Sequence, residues 1–407
     1  MAHSDLTLSA TATDYLKLRL VHRNPPLTAS QALSSDTLRL KSPIISGAST
    51  GSGQYFVDFT VGTPPQRLLL RPRLGQLLRL RLPPPPLPLL LPLPCSAPAC
   101  RLVPHRRCPR RRRRRRRRPA SCSYSYSYSD RSSTAGIFSL DTATLNSTSA
   151  RDFKLRRVHF GCAFHVSGFD GAHGVMGLGR GPISFPSQLA RRGFGNKFSY
   201  CLMDYTLSPP PTSFLFIGQA HGPKPTNPKP RPIMSFTPLL TNPLSPTFYY
   251  VGIKSAFVDG VKLPVNSSVW GLDGDGNGGT VIDSGTTLSF FAIPAYREIL
   301  KAFKRRVKLP LVSNPALGFD LCVSVSSGAS LGLPRMSFGL VGGSVFSPPS
   351  SNYFIDVADG VKCLALQPVS APSSFSVIGN LMQQGFLLEF DRDKSRLGFT
   401  RHGCAVK

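Results

Sequence analysis

Acidic side chains are scarce in this chain: 20 Asp and Glu stand against 49 Lys and Arg, for a net charge of +29. Such an imbalance raises the question of nucleic acid or an anionic surface as partner. The excess is local, however. Seventeen arginines and no acid fall between Arg67 and Arg118, and Arg110 to Arg118 is an unbroken arginine run. No aromatic residues interleave with that run and no nucleic-acid-binding motif accompanies it, so specific nucleic-acid recognition is not expected. Non-specific binding of nucleic acid or an anionic membrane by the tract ranks third among the functional readings. Long apolar runs are missing too. With a mean hydropathy of −0.04, the chain is expected to be globular, with no membrane span. The opening Met1-Ala2-His3-Ser4-Asp5 has no basic segment leading into an apolar core, so no signal peptide is visible. The eight His lack metal-ligand spacing, and the Cys pattern is unlike a zinc site. Asp273-Gly274-Asp275-Gly276-Asn277 lacks the glutamate that closes a calcium loop, since Ser284 stands twelfth, and it reads as a turn. Neither a metal nor another cofactor is expected.

Turn formers are plentiful: 39 Pro and 36 Gly in 407 residues, among many short alternating runs. That composition predicts a mostly β chain, long enough for two domains. Nine Cys favour an oxidising compartment, and an odd number leaves at least one without an intramolecular partner. Asn146-Ser147-Thr148 and Asn266-Ser267-Ser268 are glycosylation acceptors if the protein is secreted.

Residues 1–50 read as a pro-segment remnant or linker, with one strand-like alternation at Tyr15 to Arg23. A first β unit is expected over 51–218, a Pro- and Lys-rich link over 219–234, and a second β unit over 235–407. Gly53 to Gly62 alternates as a strand, Thr63-Pro64-Pro65-Gln66 turns, and a second strand starts at Leu68. Residues 71–120 are aberrant. From 71 to 94 the chain holds nothing but Arg, Leu, Pro, Gly and Gln, and so many prolines predict neither strand nor helix there. Ser123 to Ser139 reads as a hairpin with Tyr124, Tyr126 and Tyr128 on one face. Ile183 to Leu189 and Pro294 to Val307 are helix candidates.

Val281-Ile282-Asp283-Ser284-Gly285-Thr286-Thr287-Leu288 combines a buried-strand pattern with a tight turn that carries one carboxylate. Gly285 permits the turn, and the hydroxyls of Ser284 and Thr286 are placed to bond the carboxylate. The chain also echoes itself: Val175-Met176-Gly177 matches Val377-Ile378-Gly379, as a duplicated β unit would.

An ordered series of motifs gives this pattern a family. Gln54-Tyr55, Val61 to Gln66, Tyr128 to Ser132, Phe160-Gly161-Cys162, Gly174 to Gly179, Gln188-Leu189, Phe198 to Leu202, Phe248 to Val251, Gly278-Gly279-Thr280 with Asp283 to Thr286, and Ile378-Gly379-Asn380 follow one another over residues 53–404. The series resembles the pepsin-like aspartic proteases, in their plant nepenthesin-like branch. The resemblance implies two β lobes with a cleft between them, each lobe supplying one Asp from an Asp-Thr/Ser-Gly turn. Two carboxylates at hydrogen-bonding distance share one proton; the ionised one activates water and the other protonates the scissile carbonyl oxygen. The implied activity is acid endopeptidase cleavage of peptide or protein substrates by a monomer that is secreted, apoplastic or vacuolar. Asp283 matches the second catalytic Asp, Thr286 the residue bonding its outer oxygen, Ser284 the one tying the two turns together, and Tyr128 the tyrosine of the flap over substrate. The implied disulfides are Cys95–Cys122, Cys100–Cys108, Cys201–Cys404 and Cys322–Cys363, with Cys162 left over.

The first catalytic Asp is missing. The family pattern lands on Arg73, followed by Leu74-Gly75-Gln76 where Thr-Gly-Ser would stand. The Trp-containing strand and the first Cys cluster are missing as well, and His173 replaces a common Asp. This leaves two expectations. Either residues 71–94 are an out-of-frame reading of GC-rich DNA, or the chain is a pseudoprotease in which an arginine beside Asp283 removes the shared proton.

Overall fold

The computed structural model describes residues 16–22, 55–73, 79–80, 90–108, 120–128, 132–146, 152–168, 173–204, 206–207, 211, 213–218, 233–313, 318–325, 332–369, 371 and 374–401. Strands dominate, as expected. The described strands form one 20-stranded sheet that runs through both halves of the sequence, and two four-stranded sheets in the second half.

The first half begins with β1 (Leu16–His22), β2 (Tyr55–Val61) and β3 (Gln66–Arg73). In β2 Val57, Phe59 and Val61 are buried on one face, with Leu70 and Leu68 opposite Val57 and Phe59, and Phe56 is buried on the other, so the alternation in burial is only partial. Next come β4 (Ser123–Ser127), β5 (Ser133–Asn146) and β6 (Asp152–Ser167), a meander in which β4 and β5 form the expected hairpin. Then come β7 (Gly174–Gly177), helix α1 (Phe185–Leu189), β8 (Lys197–Cys201) and β9 (Ser213–Ile217). The segment read as pro-segment or linker supplies β1, which pairs with β9 and β2. The link at 219–232 lies outside the described residues.

The second half repeats the plan. It includes β10 (Ser235–Leu240), β11 (Thr280–Ile282), helix α2 (Ile293–Arg306), β12 (Ser376–Ile378), β13 (Phe386–Asp391) and β14 (Arg396–Arg401). Helix α2 turns Ala295, Tyr296, Ile299, Ala302 and Phe303 inward, spaced at three and four residues, and keeps Lys304, Arg305 and Arg306 in its last turn, where cations suit the helix dipole.

The halves are joined by hydrogen-bonded backbone. Strand β8 pairs antiparallel with β13, from Lys197 opposite Asp391 to Cys201 opposite Leu387. Under that seam Phe198 stacks on Phe390 with centroids 4.6 Å apart, and Tyr249 meets the same ring at 4.7 Å. Asp391, fully buried, lies 2.8 Å from Lys197 and 3.4 Å from Arg396. One apolar core therefore serves both halves.

Two expectations are corrected. Residues 71–94 do contain strand: β3 runs on through Arg73, and Arg79–Leu80 and Leu91–Pro92 are short strands. Backbone pairing is nearly blind to side chains, and β3 is held between β2 and β7, so its composition does not stop it. The nested disulfides are also corrected. Cys95 bonds Cys108 and Cys100 bonds Cys122, in place of Cys95–Cys122 and Cys100–Cys108. The four residues are neighbours, with the sulfurs of Cys100 and Cys108 3.8 Å apart, and depth sorts them. Cys100 and Cys122 are fully buried together among Leu93, Val103 and Phe138, while Cys95 and Cys108 lie nearer the surface. Cys322 bonds Cys363 across a strand pair. Cys201 is disulfide-bonded, and Cys404 lies outside the described residues. Cys162, in β6, is a free thiol, and burial pushes its pKa up.

Candidate active site

The turn after β11 is built as its sequence suggests. Strand β11 is buried on every residue and runs parallel to β12, with Ile282 level with Ile378. The Asp283 N–H donates to the Ile378 carbonyl at 3.1 Å. The chain then folds back on its own carboxylate. The Gly285 N–H donates to Asp283 Oδ1 at 3.0 Å, and the Thr286 hydroxyl to Oδ2 at 2.7 Å. The Ser284 hydroxyl reaches across to the other half and donates to the Pro72 carbonyl at 3.3 Å. A Cβ on Gly379 would stand 2.7 Å from the Thr287 carbonyl oxygen, so only glycine lets β12 pass this close beneath the turn.

A layer of amides supports the turn from below. Asn380 donates through Nδ2 to the Ser284 carbonyl at 3.2 Å, and through its backbone N–H to the Thr286 carbonyl at 2.7 Å. Gln383 donates to the carbonyls of Asp283 at 3.2 Å and Ile378 at 2.8 Å, and accepts from the buried Tyr200 hydroxyl at 2.6 Å. Burial, and then the negative charge of Asp283, push the Tyr200 phenol well above its ordinary pKa. It stays a neutral donor. Gln383 lies outside the motif series, and Tyr200 stands within it, in Phe198 to Leu202, with no site role read from it. The available signal was the three-residue spacing from Asn380, which places two amides on one face of a single helical turn.

The first half makes the same crossing. Strand β3 runs parallel to β7, with Gly177 level with Arg73, and the Leu178 N–H donates to the Arg73 carbonyl at 2.8 Å. In the second half the corresponding glycine, Gly379, comes directly after the Ile282–Ile378 pair and is thus level with Asp283. Register therefore makes Arg73 the counterpart of Asp283. The two sites also come together in space. A Cβ built on Gly285 would collide with the Arg73 side chain and lie 2.9 Å from its Nε. The Arg73 guanidinium carbon stands 5.4 Å from the centre of the Tyr128 ring, close enough for a cation–π contact. Tyr128 is buried, and its N–H donates to the Ser132 carbonyl at 2.8 Å; the turn between them lies outside the described residues.

The site thus unites Asp283, Ser284, Gly285, Thr286, Arg73 and Tyr128. A guanidinium offers hydrogen-bond donors only, so the side chain of Arg73 is not a chemical substitute for a second carboxylate beside Asp283. His173 is exposed just before β7. Asp273 closes its own loop by accepting from the N–H groups of Asp275 and Asn277, which hold its carboxyl below the usual range together with the Asn277 side chain.

Comparison with known proteins places this arrangement. A family model described as the xylanase inhibitor C-terminal domain matches residues 248–401, and the corresponding N-terminal model matches 89–219. Aspartyl protease family protein 2 of Arabidopsis thaliana is 36% identical over 382 residues, covering 89% of this chain and 74% of that protein. Aspartic proteinase nepenthesin-1 of Nepenthes gracilis is 34% identical over 282 residues, covering 68% of this chain and 60% of that protein. Among solved structures, edgp superposes with a TM-score of 0.75 at 22% identity, covering 97% of this chain and 98% of that one. Basic 7S globulin from soybean superposes at 0.73 and 19% identity, covering 97% and 99%. At such identities the structural likeness concerns the fold.

Proposed function

Because this chain belongs to the plant branch of the pepsin-like aspartic proteases, we propose that its site is a peptide site laid out for acid-pair hydrolysis, and that Arg73 leaves this chain holding peptides without cutting them. The observation that carries the reading is the register match of Arg73 with Asp283 beside the Asp283 turn. Peptide hydrolysis of this type needs one carboxylate to take a proton from water and a second group to protonate the substrate carbonyl. Asp283 can fill one role only. A guanidinium in the other place supplies charge and hydrogen bonds, which bind carboxylates and carbonyls but transfer no proton. The family models that match this chain take their description from inhibitors, so the fold has uses beyond cleavage. Three mapped disulfides and the bonded Cys201 support an oxidising compartment, outside the cell or in the vacuole, as its place of work.

The test is a peptidase assay at acid pH, with and without pepstatin, run beside binding of the same peptide library. Binding without turnover is expected; pepstatin-sensitive turnover by the chain with Arg73 intact would overturn the reading. A second reading, an active aspartic endopeptidase, is favoured by the five-residue alphabet of 71–94. The N-terminal family match also begins only at residue 89. Sequencing the transcript decides it: an Asp-Thr/Ser-Gly triplet in another frame supports the active enzyme, and a clean in-frame transcript removes it.

A further inference from the structure

The triplet Asn266-Ser267-Ser268 lies wholly in the open. All three residues are exposed, and they begin the short turn Ser267–Trp270, which the buried Trp270 anchors to the core. The two polar atoms of the Asn266 side chain fare differently. Its Oδ1 accepts from the Ser268 N–H at 3.0 Å and from the Ser268 hydroxyl at 3.0 Å. Its Nδ2 makes no hydrogen bond among the described residues. Capping of the turn accounts for the oxygen alone, and an Asp or Ser at that position would cap it as well. An open amide nitrogen with a hydroxyl two residues on is what transfer of an N-linked glycan requires.

The neighbourhood gives such a glycan something to cover. Residues 261–268 are exposed except for buried Leu263 and half-buried Val265. Val261–Lys262 is an outer strand of a four-stranded sheet. It pairs on one side with Ile253–Val258, and on the other with no strand among the described residues. Val261 is 53% exposed on that strand. An open edge carrying an exposed apolar side chain invites pairing with another chain unless something polar and bulky stands over it.

We propose that Asn266 carries an N-linked glycan, and that this glycan screens the open edge of Val261–Lys262. In the transfer, Nδ2 loses one proton and bonds to the anomeric carbon of an oligosaccharide held on a lipid pyrophosphate. The bond from that carbon to the pyrophosphate oxygen breaks, and the lipid pyrophosphate leaves. Both Oδ1 hydrogen bonds survive, because the sugar replaces an Nδ2 hydrogen that bonds nothing among the described residues. The modified and unmodified chains therefore keep the same turn. The proposal rests on the oxidising compartment proposed for the chain.

The test expresses the full chain in plant cells behind an added secretory leader. The peptide holding residue 266 is then mapped, before and after peptide-N-glycosidase, in the secretory membranes and the secreted fraction. A glycan is expected on Asn266, lost in Asn266→Asp and in Ser268→Ala and kept in Ser268→Thr. Transfer precedes folding, so a variant that is retained in the membranes still reports. Bare Asn266 in the chain taken from those membranes would overturn the proposal. A glycan present behind the leader but missing from the chain isolated from its own source would count against the compartment and for the site. Screening is read separately. Asn266→Asp keeps an oxygen to cap the turn and loses the glycan, so it should aggregate at a lower temperature than the glycosylated chain. Val261→Lys, which charges the open edge, should restore that temperature in the Asn266→Asp background. Equal aggregation temperatures, or no rescue by Val261→Lys, would overturn the screening role.

Discussion

The two halves build one strand crossing twice and finish it differently. In the second half β11 delivers Asp283 into a turn where the Gly285 N–H and the Thr286 hydroxyl serve the carboxylate and, one layer down, Asn380 and Gln383 brace the backbone. In the first half β3 makes the same parallel contact with β7 and delivers Arg73. The scaffold tolerates the exchange because the crossing is held by backbone pairing and by buried neighbours such as Leu68, Leu70 and Met176, none of which depends on the residue at the tip. On the proposed reading the chemistry does not tolerate it, because a shared proton needs two groups that can both hold it. Fold and activity thus rest on different atoms of the same element.

Exchanging the tip is the largest test of that contrast. Arg73→Asp should raise acid-pH peptide cleavage by at least about 10⁴-fold over the parent chain, and adding Asp283→Asn should abolish the gain. If Arg73→Asp folds and stays inert, the site lacks more than one carboxylate and the equivalence of the tips is wrong. The contrast also assumes that the halves share one sheet. Asp391→Asn should cost about 3 kcal/mol in denaturant unfolding, because Lys197 and Arg396 lose their buried partner. The pH dependence of that variant sharpens the test. Burial alone would raise the Asp391 carboxyl, but the Lys197 hydrogen bond, the Lys394 N–H and the charges of Lys197 and Arg396 outweigh it and hold the carboxyl below the usual Asp range. A depressed folded pKa gives stability that is present above the unfolded carboxylate value and is lost as pH falls through the folded one. The acid limb of the stability curve should therefore flatten in Asp391→Asn.

A smaller test separates the paired disulfides of the first half. Replacing Cys100 and Cys122 by Ser should cost about 3 kcal/mol, and replacing Cys95 and Cys108 about 2, because the inner pair closes the longer loop and is fully buried. Peptide mapping of the oxidised protein should recover these pairs and not the nested ones. The smallest test addresses the meeting of the two tips. Gly285→Ala should cost about 1–2 kcal/mol through collision with Arg73, and most of that should vanish in an Arg73→Ala background. An equal cost in both backgrounds would place Arg73 elsewhere.

Much of the fold was legible in the sequence. Strand β2, the β4–β5 hairpin, helix α2 and the Asp283 turn carry local signatures, namely alternation, turn residues and helical spacing, and they form as read. Strand β3 was legible only as far as Leu70, because its continuation is dictated by β2 and β7 from outside a stretch whose own composition argues against order. The disulfide pairing was hidden for a related reason. Four cysteines that converge within bonding reach are sorted by depth in the packed core, which spacing along the chain does not encode. Gln383 was missed because its acceptors are backbone carbonyls of the Asp283 crossing, and Tyr200 because it acts only through the side chain of Gln383; no local pattern marks either contact.

The seam between β8 and β13 also sets an order of events during synthesis. Strand β8 ends at residue 201 and finds one neighbour in β9, but its other edge waits for residues 386–391, which leave the ribosome much later. Until then the finished first half carries an open strand edge with Phe198 and Tyr200 beside it, a surface that chaperones recognise and that aggregation exploits. A chain cut short before residue 386 would keep that edge permanently, so strand β13 acts as a check on the half made before it.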